Sequence, residues 1–186
     1  MGSHLNLVGS IIIAGIIFLT INRFHSSMVE TSQEKTMGSI ASRNWSSLAK
    51  LIEFDFSRIG YGVSTNLNPL LVADSTQIHF LSDINENGAI DTIKYELSDS
   101  DAATKTENPN DKILYRLVNG QQAQEAPLGV TRFRMRYFDN RGNEIADLTQ
   151  ICTLEVMLEV ETTSRFNERY SNYLWQTRIS PPNLRK

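Results

Sequence analysis

The chain of 186 residues has a single cysteine, Cys152, so it can hold neither an internal disulfide nor a zinc site built from several thiolates. Histidine is almost as scarce. His4, His25 and His79 are too far apart for a His-x-x-x-His metal pair. The chain also lacks a Gly-x-Ser-x-Gly elbow, a phosphate-cradling glycine loop and a G-x-G-x-x-G fingerprint. With 18 Lys and Arg against 21 Asp and Glu, the net charge of −3 offers no basic face for nucleic acid or an anionic lipid surface. These absences predict a protein that is not an enzyme, carries no organic cofactor and binds no nucleic acid. Proline is missing before Pro69, which leaves a long N-terminal stretch free of helix breakers.

What that stretch contains is an uncharged apolar run from Leu5 to Ile21, LNLVGSIIIAGIIFLTI, at the short end of what a bilayer-spanning helix requires. No basic residue precedes it and no small-x-small cleavage site follows, so it reads as a retained anchor rather than a cleaved secretory signal. One helix can extend from Leu7 to about Ile59, with Gly9, Gly15 and Gly38 as its weak points. Its first part carries small residues, Gly9, Ser10, Ala14 and Gly15. Ser10 and Ala14 stand four apart on one face, a spacing that lets helices approach closely in lipid. Leu7, Ile11, Ile12, Ile16 and Phe18 would then exchange lipid for the helices of neighbouring subunits. Residues 22–35 are polar. Beyond them Ala41, Trp45, Leu48, Ile52, Phe56 and Ile59 recur every three or four residues, an apolar stripe that needs a partner surface, and Gly60 and Gly62 supply a stop.

After Gly62 the pattern alternates. Gln77–Ser82, Thr92–Leu97, Lys112–Val118, Val130–Phe138 and Ile151–Thr162 read as strands, with turns at Asn87-Gly88 and Asn119-Gly120. Cys152 falls on the inward row of the last of these. About five or six antiparallel strands forming a sheet behind the helical stripe give an α+β architecture. The segments expected are residues 1–4, a membrane half 5–21, the remaining helix 22–62 and a sheet domain 63–186. Arg136 should face Glu155, and Arg132 should face Glu159, across an antiparallel pair. The stretch Asp83 to Asp91 matches the first nine positions of a calcium loop, with Asp83, Asn85, Asn87 and Asp91 as oxygen ligands. Lys94 stands where a bidentate glutamate belongs, so a plain hairpin with Asx turns is the simpler reading. The loop 139–144 reads as a turn with Gly142 at positive φ.

An apolar N-terminal helix running into an antiparallel sheet resembles the type IV pilins and pseudopilins. LIEFDFSRIGYGV (51–63) is similar to the helix end of W-type minor pilins and J-type pseudopilins of type II secretion. IHFLSDINENGAIDTIKYEL, ILYRLVNG, GVTRFRMRYFDNRGNEI, TLEVMLEVET and the ending TRISPPNLRK resemble the same family in that order. The resemblance implies a structural subunit of a type IV pilus or a type II secretion pseudopilus. Such a subunit would be a single-pass protein of a bacterial inner membrane, with its sheet domain outward in the periplasm or on a cell-surface filament. Its partners would be other pilin-like subunits and an inner-membrane assembly platform. The start departs from the family. Mature pilins begin like FTLIEL after a leader ending in glycine, whereas here Leu5 takes the mature start, His4 the leader glycine's place and Gly9 the glutamate's. Residues 1–4 are either a cloning scar in place of a leader or a noncanonical start, with His4 and Leu5 as the processing junction. The alternative from another class is a membrane-tethered monomeric ectodomain that binds a ligand or calcium.

Overall fold

The computed structural model describes residues 2–98, 106–125, 129–165 and 168–184. Its single long helix, α1, runs unbroken from Gly2 to Ser57. No proline interrupts it, and its interior glycines cost about 1 kcal/mol each relative to alanine, too little to break so long a helix. The chain divides into two compact units, residues 1–39 and 40–186. In the first, the described side chains are almost all exposed. Its polar side chains satisfy the helix itself: the Thr20 hydroxyl donates to the Ile16 carbonyl (2.8 Å), Asn22 Nδ2 to Phe18 (2.9 Å) and the Thr36 hydroxyl to Ser32 (2.8 Å).

In the second unit the apolar stripe is buried as its spacing predicts. Ala41, Leu48, Ile52, Phe56 and Ile59 are buried, and Trp45 is partly so. The helix ends where glycine permits a left-handed backbone, at Gly60 (φ +79°) and Gly62 (φ +73°). Two hydrogen bonds fix the exit, from the Gly60 amide to the Leu81 carbonyl and from the Asp83 amide to the Tyr61 carbonyl, both 2.9 Å.

Among the described residues, eight strands form two antiparallel sheets rather than the single sheet expected. The first is a meander of β1 (Leu70–Ala73), β2 (Gln77–Ser82), β3 (Asp91–Leu97), β4 (Leu114–Val118) and β5 (Gln121–Glu125) in sequential order. The second holds β6 (Val130–Phe138), β7 (Thr153–Glu161) and β8 (Asn172–Ile179). Asn119 (φ +53°) and Gly120 (φ +76°) form the two-residue turn between β4 and β5. Arg136 faces Glu155 and Arg132 faces Glu159, with the slip falling between Val130 and Arg132. Lys112 lies outside β4 and makes an isolated bridge to Val130; with the Met135 amide bonded to the Ser75 carbonyl (2.8 Å), it joins the two sheets.

Cys152 requires a correction. It precedes β7, half-buried, because its amide closes the β6–β7 connection onto the Phe138 carbonyl (2.9 Å) before the strand begins. The inward row starts at Leu154 and continues through Val156, Leu158 and Val160. Both sheets and the helical stripe share one core. Phe56 meets Phe80 (5.8 Å) and Tyr95 (5.3 Å) edge to face, and Tyr95 in turn approaches Phe133 of the second sheet (6.3 Å). Of the polar loop expected between β3 and β4, residues 99–105 lie outside the described part, as do residues 185–186 of the C-terminal motif.

Candidate functional site

The first candidate surface is the apolar start of α1. Leu7, Ile11, Ile12, Ile16 and Phe18 are each more than half exposed, Phe18 at 66%. The helix is long and apolar enough to cross a membrane, with a mean hydropathy of 2.0 over its best window. Ser10 and Ala14 lie exposed on this helix, and a Cβ placed on Gly9 or Gly15 would meet nothing within 4 Å. The chain's own packing therefore does not require Gly9 or Gly15 to be glycine. His4 and Leu5 fall in the first turns of α1, and their side chains lie outside the described part.

The Asp83 to Asp91 segment forms the connection between β2 and β3, with Glu86 (φ +59°) and Gly88 (φ +83°) turning the chain. Asp83 accepts the Asn87 amide on Oδ1 (3.0 Å) and the Gly88 amide on Oδ2 (2.8 Å). Asn85 Oδ1 accepts the Asn87 amide (3.2 Å), and Asn87 Oδ1 accepts the Ala89 amide (2.7 Å). Asp91 instead accepts Asn119 Nδ2 from the β4–β5 turn on Oδ1 (2.7 Å), and its buried Oδ2 has no partner among the described residues. Three of the four expected ligands are thus gathered by the loop's own backbone, and the fourth is held by a neighbouring turn. Among the described residues no cluster of three or more His, Cys, Asp or Glu side chains could hold a metal.

A polar site that the sequence pattern did not reveal lies inside the core. Asp55, wholly buried at the end of α1, accepts the Tyr95 hydroxyl (2.6 Å) and Arg116 Nε (2.6 Å) on Oδ2, and Arg116 Nη2 (3.3 Å) on Oδ1. Burial, followed by the Asp55 charge and hydrogen bond, pushes the Tyr95 hydroxyl well above its ordinary range. Burial alone would lower the Arg116 guanidinium, but the hydrogen bond and charge of Asp55 raise it overall. Three side chains from one helix and two strands hold one another in place through these bonds.

On the outer face of the second sheet, Glu155 lies between Arg136 (3.2 Å) and Arg178 (2.8 Å), and Arg136 also reaches Glu144 (2.6 Å). Hydrogen bonding from Arg178 holds the Glu155 carboxyl below its usual range, with the Arg178 charge and Arg136 adding to it against partial desolvation. Beside this row, a cleft of about 540 Å³ is lined by Phe138, Asp139, Arg141, Cys152 and Arg178. Arg178 stacks over the Phe138 ring at 4.5 Å, and the Cys152 thiol donates to the Gln150 carbonyl at 3.5 Å. Neither a protein-family model, nor a curated protein, nor a solved structure matches this chain.

Proposed function

We propose that this chain is a structural minor pilin or pseudopilin, a subunit that assembles through its N-terminal helix into a type IV pilus or a type II secretion pseudopilus. The observation that carries the reading is the contrast along one continuous helix: residues 7–21 expose apolar side chains all round, while the stripe from Ala41 to Ile59 is spent on the chain's own core. A helix apolar on every side belongs in lipid or among other helices. The small residues at positions 9, 10, 14 and 15 suit close helix approach, and a Cβ on Gly9 or Gly15 would meet nothing within 4 Å. In this mechanism residues 5–21 store the subunit in a bacterial inner membrane, and an assembly platform extracts it into a bundle of like helices. The resemblance of the strand motifs to W-type minor pilins and J-type pseudopilins supports the same assignment.

The test replaces Ser10 and Ala14 together by leucine. The segment stays apolar enough to insert, but close approach is blocked. The double variant should remain in the membrane fraction and fail to enter sheared filaments, copurifying with fewer pilin-like subunits than the wild type. Normal incorporation would reduce the segment to a tether and favour a monomeric ectodomain.

A further inference from the structure

The second sheet ends on an edge that no described part of the chain closes. β8 is its outermost strand and pairs with β7 on one side only. The Thr162 amide bonds the Ser171 carbonyl (3.0 Å), while the Glu161 amide turns the other way, to the Gly129 carbonyl (2.7 Å). Bonded and open pairs alternate along an antiparallel ladder. Tyr173, Trp175, Thr177 and Ile179 therefore bond to β7, and the backbone of Asn172, Leu174, Gln176 and Arg178 turns outward. Among the described residues those outward amides and carbonyls have no partner. Sheet edges are commonly blunted by brevity, a bulge, proline or lysine. β1 has only four residues and a register shift, whereas β8 runs through eight paired positions without a shift and holds no proline, lysine or glycine. Its outward-facing side chains from Asn172 to Arg178 are exposed, alternating with half-buried Tyr173, Trp175 and Thr177.

We infer that β8 receives an added strand from another polypeptide, an extended segment in which apolar and acidic residues alternate. The pairing is antiparallel, like every described ladder of this fold. The outer face dictates the acidic residues. Arg136, Glu155 and Arg178 lie side by side on β6, β7 and β8, an alternating row that stops on a cation at the edge. Arg178 uses only Nε on Glu155, and its side chain is 58% exposed, so its Nη groups are available to a carboxylate on the next strand. Opposite charges facing each other across a ladder favour the pairing. The inner face dictates the apolar residues. Trp175 packs at the margin of the core, and the Tyr173 ring lies 6.4 Å from that of Trp45. Both fall on open pairs of the new ladder, where facing side chains come closest, so aliphatic residues there extend the core by one strand. The acidic residues fall on the bonded pairs, and about eight backbone hydrogen bonds form along the edge. The contact is thus strand addition and not an encounter of charges alone. It goes beyond assembly through the N-terminal helix and does not depend on it.

The experiment measures the fluorescence anisotropy of a dye-labelled nonapeptide of alternating valine and glutamate, titrated with the full-length protein in detergent micelles and, separately, with empty micelles. Saturable binding to the protein and none to the micelles is expected. Methylating the amide nitrogens of the glutamates should abolish binding, because those amides face β8, whereas methylating those of the valines should leave it. These peptide variants leave the protein untouched, so the comparison does not depend on any variant folding. Arg178→Gln should weaken binding by about threefold, the scale of an exposed ion pair. A peptide with lysine in place of glutamate should bind the wild type more weakly and regain affinity for Arg178→Glu. Three results would each overturn the inference: no saturable binding, binding indifferent to methylation of the glutamate amides, or equal affinity of the wild type for the lysine and glutamate peptides.

Discussion

Asp55 stands one position before Phe56 in the most deeply buried part of α1, with none of its side chain exposed. An isolated carboxylate there would be intolerable; the Arg116 fork and the Tyr95 hydroxyl make it tolerable. Arg116→Met should therefore destabilise the protein by about 3–5 kcal/mol, because it strands a buried charge. Adding Asp55→Leu to that variant should restore most of the loss, since a buried pair replaced by apolar side chains is often neutral. Calorimetry on the two single variants and the double variant measures the coupling directly. Little in the sequence announces this group. Its members lie 40 and 61 residues apart, beyond the reach of any periodic window, and the one local signal is an acidic residue wedged inside an apolar stripe. The loop 83–91 shows the reverse case, a ligand-like spacing legible in sequence whose oxygens mostly turn to their own backbone.

Elements were legible wherever a period ran long enough to fix a face. The stripe from Ala41 to Ile59 and the alternation in β6 and β7 gave both the buried sides and the Arg136–Glu155 register. β1 has only four residues, and β5 (QQAQE) carries almost no apolar signal, so neither stood out. The division into two sheets was also hidden, because alternation tells which side of a strand is buried and not which strand lies beside it. The stripe makes a quantitative claim about neighbouring phenylalanines. Phe56 is fully buried and meets two aromatic rings, so Phe56→Ala should cost about 3–5 kcal/mol. Phe54, two positions away, is 49% exposed and lies under the Arg58 guanidinium; Phe54→Ala should cost less than about 1 kcal/mol. Equal losses in urea unfolding would mean that the helix packs by a different face.

At the scale of the whole molecule, the proposed membrane anchor makes a sharp demand on the first part of α1. Lysine near the centre of a membrane helix costs about 2.5–3.5 kcal/mol. Ile12→Lys with Ile16→Lys should therefore shift the protein out of the alkaline-washed membrane fraction, while the same pair of changes to leucine should not. The packing of Trp45 and Trp175 has an optical consequence. Both indoles sit partly buried at the margin of the same core, Trp45 on the helix and Trp175 on β8, and Trp45 lies 6.4 Å from Tyr173. Residues 1–40 contain neither tryptophan nor tyrosine. Intrinsic emission is therefore dark to whatever surrounds the apolar segment. In lipid, detergent or a filament it reports the helix-to-sheet contact of residues 40–186 alone, so an unchanged spectrum on assembly would mean that the folded body enters the polymer without repacking.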